Sequence, residues 1–198
     1  MEGALSQKEF DGIRVVLFGP ESTGKSTLSR QLASYYKTVY VPEFAREFLQ
    51  AKFDRTGEVC GFEDLMPICI GQRKLENEKV SQASGYLFCD TDALETYTYS
   101  HIYFGKAPEG VTRMVEKSHY ELYLLMDVDL PWEKDDLRDR PDDREAIYKM
   151  FKKALDTFGK KYITISGVGD DRLKNAIEAI NNYVENDTNR YTEATTQG

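Results

Sequence analysis

Eight consecutive residues, Gly19-Pro20-Glu21-Ser22-Thr23-Gly24-Lys25-Ser26, combine two spaced glycines with a lysine and a hydroxyl. They match G-x-x-x-x-G-K-[ST], the pattern of a loop that cradles phosphate. Backbone N–H groups of such a loop, and of the helix it opens, point at phosphate oxygens where the helix dipole favours negative charge. Gly24 lets the backbone come close. Lys25 is placed for the β- and γ-phosphates and the Ser26 hydroxyl for Mg²⁺. Gly19, Glu21, Ser22, Thr23 and Thr27 complete the phosphate-binding run. The motif predicts binding of a nucleoside triphosphate, with ATP and Mg²⁺ as the cofactors.

Three further groups have side chains suited to chemistry. Asp90 and Asp92 follow the apolar run 86–89. Mg²⁺ takes one or two carboxylates together with phosphate and water, so Asp90 is the candidate metal ligand. Asp92, two residues on, either faces a substrate or caps the helix that follows. Glu43, Arg46 and Glu47 follow another apolar run and share one face of a helix by their spacing. That face either orients a substrate hydroxyl and fixes an anion, or is an acid and an ion pair at a helix start. Residues 130–144 hold Arg138, Arg140 and Arg144 among five aspartates. The segment reads as a lid, about 131–144, whose arginines stabilise a transferred phosphoryl group and exclude water. The plainer alternative is a solvated, charged helix start. Trp132, the only tryptophan, stands at its hinge and offers a ring face for stacking.

These groups need a frame. Ile13–Phe18 reads as a buried strand ending at the glycine loop, and residues 27–36 as a helix with Leu28, Leu32 and Tyr35 on one face. Short strands follow at 38–41, 86–89, 121–126 and 162–165, with Pro42 ending the second. Helices are expected at 44–51, from 62 to about 84, at 92–103, 144–158 and 170–185, and a loop at 52–61. Strands alternating with helices imply α/β architecture: a five-stranded parallel sheet with helices on both faces, in a P-loop NTPase/kinase fold. Residues 1–12 read as a polar lead-in, 13–186 as one domain, and 187–198 as a disordered tail.

The chain has 198 residues, 40% of them hydrophobic and 30% charged, as one soluble domain requires. No apolar run spans a membrane and no signal peptide is visible, so the expected compartment is the cytoplasm, without membrane insertion. The formal net charge of −8 disfavours nucleic acid as a partner. Cys60, Cys69 and Cys89 lack metal-site spacing, and two histidines, His101 and His119, build no metal site.

The motif order resembles the ribosylnicotinamide kinase domain of the NadR-type proteins, over roughly residues 13–180. The resemblance rests on the phosphate loop through Leu28, Glu43-Phe44-Ala45-Arg46-Glu47, Gly71-Gln72, Asp90-Thr91-Asp92, and Asp129-Leu130-Pro131-Trp132 leading to Asp136-Leu137-Arg138. It implies ATP-dependent phosphorylation of nicotinamide riboside at its 5′-hydroxyl, with Trp132 helping to sandwich the nicotinamide ring. Its pyridinium cation would suit an aromatic face near the carboxylates of Asp129 and Glu133. Either Asp92 or Glu43 would orient the hydroxyl, and Arg46 with a lid arginine, Arg138 foremost, would neutralise the moving group. With about a dozen residues before the first strand, neither adenylyltransferase nor repressor function is expected. The alternatives are a kinase of another nucleoside or cationic vitamin, or an ATP-binding regulatory module.

Overall fold

Short runs rich in β-branched and apolar residues form strands buried on both faces where helices cover a parallel sheet. The computed structural model describes residues 6–138, 140 and 142–196. Its strands are β1 (Ile13–Phe18), β2 (Val39–Val41), β3 (Tyr86–Asp90), β4 (Leu122–Met126) and β5 (Tyr162–Ile165). They form one parallel sheet in the order β2-β3-β1-β4-β5. The helices are α1 (Lys25–Tyr35), α2 (Phe44–Thr56), α3 (Leu65–Val80), α4 (Ala93–Phe104), α5 (Glu109–Lys117), α6 (Arg144–Thr157) and α7 (Asp170–Thr196). Strand order diverges on either side of β1, so the crevice at its carboxyl end is where such a sheet binds ligands.

Alternation along β1 divides the core. Val15 and Leu17 pack with Leu28 and Leu32 of α1 and with Ala176 and Ile180 of α7. Val16 and Phe18 join the opposite cluster, with Leu65, Leu94, Val111, Val115, Phe151 and Leu155 from α3 to α6. Both faces are therefore dry, as a parallel sheet requires, and the strand ends are held rigidly enough to position side chains at the crevice.

Several expectations shift. Tyr35 is 56% exposed, and Tyr36 instead packs on Tyr86 and Phe88. α2 runs on to Thr56, where Gly57 adopts φ 70° and donates to the Phe53 carbonyl at 2.7 Å, so the expected loop shrinks to 57–61. The next helix begins with a 3₁₀ turn, Phe62–Asp64, and ends at Val80 rather than near 84. α5 has no counterpart in the sequence reading; its buried Val111, Met114 and Val115 at i, i+3 and i+4 carry a helical signal. The backbone of α7 stays helical through Thr196, since no glycine or proline interrupts 170–196; 197–198 lie outside the described residues. Of the lead-in, 1–5 lie outside them too. Gln7 is docked, donating to Glu76 at 2.6 Å and accepting from the His119 N–H at 2.8 Å.

Candidate active site

The phosphate loop links β1 to α1 at the crevice. Gly24 precedes α1 at φ 80°, a left-handed conformation that glycine adopts without steric cost. Ser22 also lies at positive φ, 56°. The Glu21 N–H donates to the Tyr99 hydroxyl at 3.0 Å, and Thr23 Oγ1 donates to the Pro20 carbonyl at 2.7 Å. The Thr23 carbonyl accepts from Arg172 Nη1 at 2.9 Å. Lys25 Nζ donates to the carbonyls of Gly19 at 2.6 Å and Pro20 at 3.0 Å, and pairs with Glu95 Oε1 at 3.2 Å. All three ammonium donors thus have partners. Burial by itself would lower the Lys25 pKa, but Glu95, Glu43 and Asp90 outweigh it and hold it above the ordinary value.

Asp90 ends β3 beside this lysine. Burial and the charge of Glu43 push its carboxyl up to about 6, against the pull of Ser26, Lys25 and Arg30. Its Oδ1 is buried without a hydrogen-bond partner. An orphaned carboxylate oxygen next to the Ser26 hydroxyl fits Mg²⁺, which needs few protein ligands when phosphate and water supply the rest. Among the described residues no cluster of three or more His, Cys, Asp or Glu could hold a metal unaided. Thr91 follows at φ 72°, a strained conformation for a β-branched residue that turns the chain between the two aspartates.

Asp92 realises the capping alternative. Its Oδ1 accepts from the Leu94 N–H at 3.1 Å and the Glu95 N–H at 3.4 Å, and its Oδ2 from the Tyr123 hydroxyl at 2.7 Å. Burial pushes its pKa up to about 6 even so, with Tyr123, Lys160, the Glu95 backbone and Arg73 opposing. The acid that reaches Lys25 is Glu95, one turn on, which the sequence reading missed. Its Oε2 is buried without a partner, and burial raises its pKa well above the usual carboxylate value. Glu95 lies in the first turn of the helix that Asp92 caps, and nothing local in the sequence points it at Lys25. Glu43 has non-helical backbone angles at the start of α2 and makes no cap bond. It borders the cavity with Arg46, whereas Glu47 is exposed, so the shared face of three is broken.

Described residues of the segment expected to act as a lid meet both walls. Asp135 Oδ2 lies 2.8 Å from Arg46 Nη2 and 2.9 Å from Arg138 Nε, bridging the two cavity arginines. Arg144 donates to the carbonyls of Leu130 at 2.6 Å and Ser22 at 3.3 Å, tying the lid's two ends to the phosphate loop. Arg140 pairs with Asp143 at 3.3 Å and lies over the Tyr103 ring, 4.8 Å from its centroid. Arg138 is therefore the lid arginine on the cavity wall. Trp132 and Asp129 are not on that wall. Trp132 Nε1 donates to Glu21 Oε1 at 2.8 Å, so the indole fastens the lid to the phosphate loop. Asp129 binds the Arg172 guanidinium and accepts from the Gly167 N–H at 2.6 Å, joining the loops after β4 and β5. The stacking expected of Trp132 and the substrate contact expected of Asp129 concern side chains that lie off the cavity wall here.

The cavity encloses about 710 Å³. The phosphate loop closes one end, and Tyr99, Tyr103 and Phe104 bring aromatic surface to it, with Glu43 and Glu95 among the acids on its wall. A volume of this size lies within the range of small-molecule sites. Among the described residues no helix is long and apolar enough to cross a membrane.

Comparison with known proteins bears on the fold and the family. The chain is 24% identical over 169 residues to the trifunctional NAD biosynthesis/regulator protein NadR of Salmonella typhimurium, matching 84% of this chain and 41% of that protein. It thus spans about two-fifths of that relative's length. A NadR crystal structure in complex with NR superposes with a TM-score of 0.71 at 24% identity, over 87% of this chain and 50% of the other. Thymidylate kinase from Ehrlichia chaffeensis gives 0.59 at 15% identity, over 86% and 97%. These likenesses fix the fold as that of the P-loop kinases. The AAA_28 family, described as an AAA domain, matches residues 14–172. With the greater part of its length inside that match, and with NadR-like sequence and fold, the chain belongs to the AAA_28 family.

Proposed function

We propose that the chain transfers the γ-phosphoryl group of ATP to the 5′-hydroxyl of nicotinamide riboside, giving the mononucleotide. The observation that carries this reading is one cavity in which the phosphate loop faces carboxylates and aromatic rings. A ring bearing positive charge gains Coulomb and cation–π stabilisation there, and similarity to NadR supports the riboside.

Phosphate oxygens replace the Gly19 and Pro20 carbonyls as partners of Lys25, and the loop amides take the rest. Ser26 and Asp90 would hold Mg²⁺, which neutralises charge on the β- and γ-phosphates when bound. Glu43 orients the acceptor hydroxyl and receives its proton late; the occupied oxygens of Asp92 leave it the capping role. Arg46 and Arg138 exchange Asp135 for the equatorial oxygens of the moving group. The transition state is loose, so alignment outweighs proton abstraction.

The test is ADP release from ATP and Mg²⁺ with nicotinamide riboside beside uridine, thymidine, adenosine and thiamine. Stimulation by the nicotinamide riboside alone, with the mononucleotide as product, supports the reading. Stimulation by another acceptor instead moves the substrate, and none by any acceptor overturns the kinase reading.

A further inference from the structure

Glu43 stands at the junction of β2 and α2, and nothing holds its side chain through a cap bond. The backbone on both sides of it is nevertheless tied to one side chain. Gln72 of α3 accepts from the Phe44 N–H at 2.8 Å through Oε1. Its Nε2 donates to the Pro42 carbonyl at 3.2 Å and, at the long end of the range, to the Asp90 carbonyl at 3.4 Å. Both N–H groups of the amide are thereby engaged. Gln72 borders the cavity, yet at 6% exposure it has no donor left for a ligand.

Its neighbour completes the arrangement. A Cβ on Gly71 would lie 2.1 Å from the Phe44 ring, so the missing side chain lets that ring lie against α3. Phe44 is the residue directly after Glu43. One amide and one glycine therefore join the carboxyl ends of β2 and β3, which bear Glu43 and Asp90. The three bonds of Gln72 thus set where Glu43 stands relative to Asp90.

We infer that Gln72, seated by Gly71, is a positioning residue that fixes Glu43 in register with Asp90 and Lys25. The inference rests on the proposed kinase reading, in which Glu43 orients the acceptor hydroxyl. A side chain of similar length without an amide tests it: Gln72→Met keeps the packing volume and removes all three bonds. Misplacing a reacting group by about 1 Å costs on the order of 10²-fold in rate. In Gln72→Met, kcat falls by about that factor while ATP affinity, measured by direct titration, stays at the wild-type value.

A double-mutant cycle separates positioning from general loosening. In a Glu43→Gln background, Gln72→Met should bring little further loss, because the group it positions is already disabled. Gly71→Ala, which drives the Phe44 ring off α3 and with it the Phe44 N–H from Gln72 Oε1, serves where Gln72→Met does not fold; it too should lose kcat at unchanged ATP affinity. An unchanged kcat in the variant that folds, or an equal loss with and without Glu43, overturns the inference. The cycle is run with whichever acceptor stimulates the wild-type enzyme. Failure of nicotinamide riboside alone thus leaves the inference on trial, and failure of every acceptor removes both readings.

Discussion

Replacing Asp92 by asparagine distinguishes a cap from a catalyst in a single protein. Asp92 is buried at 3% exposure, and its pKa stands at about 6 against an ordinary 3.8. A carboxyl whose folded pKa is raised binds its proton more tightly in the folded state. Between the two pKa values the folded state therefore holds more protons, and stability falls as pH rises. The penalty is absent below about pH 4 and complete above about pH 7. A shift of about two units corresponds to about 3 kcal/mol at 1.36 kcal/mol per unit. Asparagine keeps an oxygen for the Leu94 and Glu95 N–H groups and caps as well as aspartate does. The Tyr123 hydroxyl, which donates to Asp92, can turn to accept from the new amide. Loss of the charge at the helix N-terminus costs about 0.3–1 kcal/mol. Asp92→Asn should thus be more stable than wild type by about 2 kcal/mol at pH 8 in urea unfolding, with the gain vanishing towards pH 4. Its kcat should stay within about tenfold of wild type, where loss of a general base costs about 10²–10⁴-fold. A variant no more stable at pH 8, a gap that ignores pH, or a collapse of kcat in folded protein would refute the reasoning.

Lys25→Ala should abolish turnover in the ADP-release assay; retention of a tenth of wild-type activity would count against the phosphate-loop role. It also strips the counter-ion from Glu95, so its urea midpoint should fall further behind wild type as pH rises. Trp132→Phe removes the N–H bonded to Glu21 and should weaken ATP binding by up to about tenfold, as loss of one hydrogen bond worth about 1.5 kcal/mol allows, without changing the acceptor KM. Because Trp132 is the sole tryptophan, its fluorescence should change on ATP titration, and a flat titration would detach it from the loop. Arg138→Ala should lower kcat by about 10²-fold or more, as loss of transition-state charge stabilisation does, and Arg140→Ala should leave it nearly unchanged. Equal losses in steady-state kinetics would mean that the lid, rather than one arginine, carries the effect.

The phosphate loop, the strand–helix alternation and the five-stranded parallel sheet are legible in the sequence because each is local. Glycine spacing, β-branched runs and 3.6-residue periodicity act within a few residues of chain. The placement of Asp90 at the end of β3 and of Glu43 after β2 follows from the same local signals. The exposure of Tyr35 was decided by which face the sheet left open, a property of the packed layers, whereas α5 carries its own local signal at Val111, Met114 and Val115. The fates of Asp129, Trp132 and Arg144 depended on partners 38 or more residues away, Gly167, Glu21 and Ser22. Glu95 makes the same point within the site. Its sequence position marks a helix's first turn, and only the approach of α4 to α1 sets it beside Lys25. The residue types thus determined which chemistry was available. Desolvation and long-range pairing, which exist only in the folded chain, determined which of those side chains are free to perform it.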